Sequence, residues 1–142
     1  MIILENDVQK IIVEDAVQAF PNECCGFVFG HEDSNGRRHI TQARTVTNVK
    51  EGDKRRRFEI APQDYIDAEK YAEEQQLELL GIYHSHPNHP AIPSEHDRAA
   101  AQPFFSYLII SVNEKEPGPI RSWRLNDELQ FEEENNHLIA GY

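Results

Sequence analysis

The chain opens on an apolar triplet, Ile2-Ile3-Leu4, and then changes period. Val8, Ile11, Ile12, Ala16 and Ala19 recur at near-helical spacing. Residues 1–4 therefore predict a short strand, and about 6–20 a helix that Pro21 ends. A polar residue, Asp15, sits inside that apolar stripe. The compact apolar run at 25–29, set among glycines at 26 and 30, suits a strand, and Asp33-Ser34-Asn35-Gly36 turns the chain into another over about 38–48. Residues 58–60 predict a short strand. Pro62 then fits the first turn of an exposed amphipathic helix over about 63–76. Leu77 to His84 predicts an apolar strand. Residues 87–93 hold three prolines and can be neither helix nor central strand. Ser94 starts a short helix to about Gln102. Strands follow at 107–112, 120–125 and 128–133, with turns at 116–118 and 126–127.

Helix, two strands, helix, strand, helix and three strands imply an α+β, three-layer α/β/α-like fold, its mixed and partly antiparallel sheet flanked by helices. A length of 142 residues predicts a single domain over 1–142. The net charge is −11 and the pI near 5.0, so nucleic acid and anionic membranes are poor general partners. One exception is Lys54-Arg55-Arg56-Arg57, four cations in a row. It reads either as a solvated loop or as a docking patch for an acidic protein substrate. No apolar run is long enough to span a membrane and no signal peptide is visible. The only cysteines, Cys24 and Cys25, are adjacent and ill placed for a structural disulfide, which suits a reducing cytoplasm. Alternation turns the two to opposite faces, with Cys25 packing near any site at this strand end.

Candidate chemistry gathers at the end of the 77–84 strand. His84 and His86 are two apart, so alternation aims both imidazoles at one spot. Two imidazoles and one carboxylate form a familiar catalytic zinc set with a position left for water. Ser85, between them, should point away. Downstream, Ser94 and Asp97 have the spacing of a helix capping box. Capping alone would explain both residues, yet it also sets them at a helix start facing the histidines. His89 and His96 lie beside the motif and read as solvated; Trp123 and the aromatic residues of 104–107 read as core.

His-Ser-His, seven residues, Ser, two residues and Asp closely resembles the signature of the JAMM (MPN+) zinc metalloprotease family, in its short prokaryotic stand-alone form. The segment Pro21-Asn22-Glu23-Cys24-Cys25-Gly26-Phe27-Val28-Phe29-Gly30 resembles that family's upstream motif, and the likeness covers nearly the whole chain. The resemblance implies a cytidine-deaminase-like fold and a cofactor, Zn2+, held by His84, His86 and Asp97. It also implies Glu23 as the general base and Ser94 as donor to the oxyanion. The implied activity is that of a peptidase or isopeptidase. Its substrate would be a ubiquitin-like small protein, a sulfur carrier cut at or after its C-terminal Gly-Gly. Two alternatives stand beside it: a non-catalytic MPN scaffold that binds proteins, and a RadC-like, DNA-associated member. The complete ligand set argues against the first. The acidic charge and the Pro-x-Glu-x-Cys-Gly segment argue against the second.

Overall fold

The computed structural model describes residues 1–138. Eleven elements run in the order β1 (Ile2–Leu4), α1 (Asn6–Ala19), β2 (Cys25–Glu32), β3 (Arg38–Val46), α2 (Pro62–Glu74), β4 (Glu78–Pro87), α3 (Glu95–Ala100), β5 (Ser106–Asn113), β6 (Glu116–Leu125), β7 (Phe131–Glu134) and β8 (Asn136–Leu138). The strands form one sheet in the order β7-β6-β5-β4-β2-β3-β1-β8. Pairing is parallel for β4 with β5 and for β1 with both its neighbours, and antiparallel elsewhere. This is the mixed α+β sheet that the hydrophobic pattern implies.

Each sheet face has its own core. Val8, Ile12 and Ala16 of α1 pack with Val28, Leu80, Tyr83, Leu108 and Ile110 on one face. Ala68 and Ala72 of α2 pack with Cys25, Phe27, Phe29 and Ile82 on the other. Small residues on α2 let it lie close to the sheet, with Tyr65 and Tyr71 set edge-on against Phe27 and Phe29. Cys24 joins the α1 core and Cys25 the α2 core, as strand alternation requires.

A break in that alternation aims the site. Val28 pairs with Gly81 but Phe29 pairs with Leu79, so Leu80 is an extra residue opposite β2. Leu79 and Ile82 both face α2, while Leu80 and Tyr83 face α1. Without the bulge, the even positions that follow would turn to the α1 face. Gly26 opposes Tyr83 in the β2–β4 ladder, and a Cβ there would lie 2.2 Å from the Tyr83 ring, so only glycine lets that ring cross the strand.

Several elements differ from the sequence expectation, among them β6, which already begins at Glu116 where a turn over 116–118 was expected. Residues 58–60 form no strand: the Val49 N–H bonds the Glu59 carbonyl, but the Glu59 N–H goes to the Asn48 side chain, which breaks any ladder. Pro87 does end a central strand, paired with Val112, because its missing N–H falls at the last position before Asn88 turns at positive φ. The expected 94–102 helix stops at Ala100, and the last hairpin strand is Phe131–Glu134 rather than 128–133. No helix among the described residues is long and apolar enough to cross a membrane.

Candidate active site

His84 and His86 stand at the C-terminal end of β4 on the α2 face, beside the start of β2. Cys25 pairs with His84 in the ladder, and the antiparallel direction carries Glu23 towards His86. The turn before β2 is fixed by three contacts. The Cys24 N–H donates to Ser85 Oγ at 2.8 Å, the Glu23 N–H to the Lys54 carbonyl at 2.7 Å, and Asn48 Nδ2 to the Glu23 carbonyl at 3.1 Å. Ser85 points away from the histidines, as expected, and its hydroxyl fastens the strand end that presents Glu23.

The side chains converge. Glu23, His84 and His86 each offer a ligand atom within 4.8 Å of the others. Glu23 and His84 are 4% and 1% exposed. Glu23 Oε1 lies 3.5 Å from His84 Nδ1, and neither atom has a hydrogen-bond partner. Buried polar atoms are almost always satisfied, so two orphans facing each other mark a place where something else belongs. Phe58 stacks on the His84 ring at 4.5 Å and closes it from solvent.

Asp97 completes the arrangement from α3. His86 Nδ1 is 2.8 Å from the Pro90 carbonyl, which can only accept, so Nδ1 holds the proton in the neutral ring. Its bare Nε2 then faces Asp97 Oδ2 at 3.1 Å. Two lone pairs at that distance need a proton or a cation between them. Burial works to lower the His86 pKa, but the Asp97 and Pro90 contacts outweigh it and the net shift is upward. Burial likewise works to raise Asp97. His86, the neighbouring His84 and the Ser94 N–H outweigh it and hold the carboxyl below the usual carboxylate range. Carboxylate, two imidazoles and a second carboxylate suit a borderline-soft divalent ion such as zinc.

Ser94 is the N-cap of α3 and shares a capping box with Asp97. Its Oγ accepts from the Asp97 N–H at 3.0 Å, and its N–H donates to Asp97 Oδ2 at 2.9 Å. The capping reading and the site reading are thus one geometry, because the cap fixes the same Oδ2 that faces His86. The Ser94 hydroxyl hydrogen is left available to donate.

Two hollows flank the cluster. A cleft of about 570 Å³ is lined by Glu23, His86 and Ser94, with Arg56 and Arg57 among the other walls. A smaller one of about 230 Å³ lies past His84 and Asp97, against Phe58, Tyr65 and Tyr107. His89 is exposed, as expected, and His96 is half-buried; His89 lines the cleft and His96 lines both hollows. Tyr107 is core as expected, whereas Phe104 is half exposed, lying over the Arg38 guanidinium.

Residues 5–126 match the family described as prokaryotic homologs of the JAB domain. The chain belongs to that JAB family. It is 32% identical over 111 residues to the desampylase of Pyrococcus furiosus, covering 78% of this chain and 72% of the relative. It is 28% identical over 138 residues to the CysO-cysteine peptidase of Mycobacterium tuberculosis, covering 96% and 90%. The solution structure of a Desulfitobacterium hafniense protein superposes with a TM-score of 0.86 at 30% identity, over 99% of this chain and 94% of that one.

Sequence reasoning missed several supports of this JAB site. Asn48 holds the loop by bonding the Glu23 and Arg57 carbonyls and the Lys50 and Glu59 N–H groups, a role with no sequence signature. Phe58 was legible only as an apolar residue. Asp15 carried a signal, as the polar break in the α1 stripe. It accepts from the Tyr83 hydroxyl at 2.6 Å.

Proposed function

We propose that this chain is a cytoplasmic, single-domain JAMM-type zinc peptidase or isopeptidase. Its substrate in this reading is a ubiquitin-like small protein, a sulfur carrier cut at or after its C-terminal Gly-Gly. The observation that carries the reading is the convergence of buried Glu23, His84 and His86 with half-buried Asp97, their lone pairs unpartnered or opposed, between two hollows that reach the surface. The relatives, a desampylase and a CysO-cysteine peptidase, fit a hydrolase of this class.

His84, His86 and Asp97 would hold the ion. Zinc bound there would acidify an attacking water and polarise the scissile carbonyl. Glu23 accepts the proton of that water at a carboxylate oxygen and delivers it to the leaving nitrogen. Burial without a hydrogen-bond partner leaves that oxygen free for the transfer. Ser94 donates its hydroxyl hydrogen to the oxygen that becomes negative, a contact typically worth about 3 kcal/mol where such donors have been removed. The Pro90 carbonyl fixes the His86 tautomer, which leaves Nε2 free to meet the ion beside Asp97.

The test uses a ubiquitin-fold sulfur carrier whose Gly-Gly is followed by a short tail. Incubated with the zinc-loaded protein and weighed by mass spectrometry, it should lose the tail after the second glycine, and chelator should stop the loss. An unchanged mass for both peptide-linked and lysine-linked tails would sink the reading.

A further inference from the structure

Glu23 stands just outside the sheet. The β2 ladders begin at Cys25, which pairs with Val46 on one side and His84 on the other. Cys24 is fastened to β4 by both of its backbone groups: the N–H donates to Ser85 Oγ at 2.8 Å and the carbonyl accepts from the Ser85 N–H at 3.3 Å. Both backbone groups of Glu23 turn instead to the 47–61 loop. Its N–H donates to the Lys54 carbonyl at 2.7 Å, and its carbonyl accepts from Asn48 Nδ2 at 3.1 Å. The Asn48 amide is fully used. The same nitrogen donates to the Arg57 carbonyl at 3.2 Å, and the amide oxygen accepts from the Lys50 and Glu59 N–H groups at 3.0 and 3.1 Å. One half-buried side chain thus ties Glu23 to both ends of the loop.

The Glu23 carboxylate has no such tie. Its side chain is buried, Oε1 lacks a hydrogen-bond partner, and His84 Nδ1 lies 3.5 Å away. A carboxylate without an anchoring bond takes its aim from its backbone, and the loop sets that backbone. Proton transfer is sensitive to the aim, since a group about 1 Å out of place can cost about 10²-fold in rate. The proposed ligands are held otherwise. The β4 ladders hold His84 and His86, the Pro90 carbonyl also holds His86, and the α3 capping box holds Asp97. None of these contacts includes Asn48. We infer that Asn48 is a positioning residue for the proton transfer, acting through the Glu23 backbone and not through the metal or the bound carrier. This rests on the hydrolytic reading above, in which Glu23 is the base.

The test compares N48A and N48S with the wild type on a ubiquitin-fold carrier whose Gly-Gly is followed by a short tail. Serine is the milder change: its hydroxyl can still accept from the Lys50 N–H two residues on, but it is too short to reach the Glu23 carbonyl. Both variants should keep close to one zinc per chain and a KM within about twofold of the wild type, while kcat falls about 10–100-fold. Added to E23Q, where the base is already gone, N48A should slow the residual cleavage by less than about twofold. Amide exchange reads the same tie without turnover. The Glu23 N–H, which Asn48 does not itself bond, should exchange about tenfold faster in both variants, with the Cys24 N–H unchanged. A wild-type kcat, a loss of zinc, a loss carried by KM, an undiminished loss in E23Q, or equal quickening of both amides would overturn the inference and leave the hydrolytic reading standing. A wild type that leaves the carrier uncut would remove that reading, and the inference with it.

Discussion

Tyr83 and His84 are neighbours on one strand, and the two faces of the sheet treat them in opposite ways. On the α1 face, Tyr83 donates to Asp15 and the Cys24 N–H to Ser85, at 2.6 and 2.8 Å. Burial raises the pKa of Asp15, Tyr83 and Cys24 alike, so the phenol and the thiol stay neutral and inert. On the α2 face, Glu23 and His84 turn unpartnered atoms towards each other, and His86 opposes a lone pair to Asp97. A fold that satisfies buried polar groups on one side has the means to satisfy them on the other. Leaving them open is destabilising, and in the proposed mechanism these groups are a base and the ligands of a divalent ion. The lesson is that unsatisfied lone pairs gathered at one point locate chemistry better than burial or charge alone, since single unsatisfied atoms such as Asn136 Oδ1 also occur away from the site.

The sharpest way to break the contrast is to remove one ligand while keeping its shape. Asp97→Asn can still cap α3, but it should weaken zinc binding by more than the roughly 10–100-fold that outer-shell groups cost, read by competition with a chromophoric chelator. Zinc should also raise the wild-type Tm and leave that of the variant unmoved, because an ion that binds only the folded state stabilises it. An unchanged affinity would show that Asp97 is a cap and nothing more. The α1 face should respond in the reverse sense. Tyr83→Phe takes from the half-buried Asp15 carboxylate its hydroxyl donor, leaving the Cys24 thiol, and should cost about 1–3 kcal/mol in urea denaturation, with activity per folded molecule unchanged. A large loss of zinc affinity in that variant would mean that the two faces are not independent.

Much of this contrast was legible before the structure. Alternation along residues 77–86 assigned the two histidines to one face, and the near-helical stripe of α1 exposed Asp15 as its polar exception. The tie between Asp97 and the histidines came only from the motif resemblance, because a capping box explains Ser94 and Asp97 equally well. Which face the histidines take was not legible at all: it depends on the extra residue at Leu80, and a bulge leaves no mark in a hydrophobic pattern. The 47–61 loop was misread for a similar reason. One side chain, Asn48, satisfies the backbone that a strand at 58–60 would have used, and that frees Phe58 to cover His84.

The central claim is that Glu23 carries the proton while His84, His86 and Asp97 hold the metal. It is tested most directly by measuring zinc content and cleavage together on purified Glu23→Gln protein. The account predicts close to one zinc per chain, as in the wild type, with cleavage of a Gly-Gly-tailed carrier lowered by about 10²-fold or more. A variant that loses its zinc would make Glu23 a ligand instead, and a variant that keeps both zinc and full activity would contradict the mechanism.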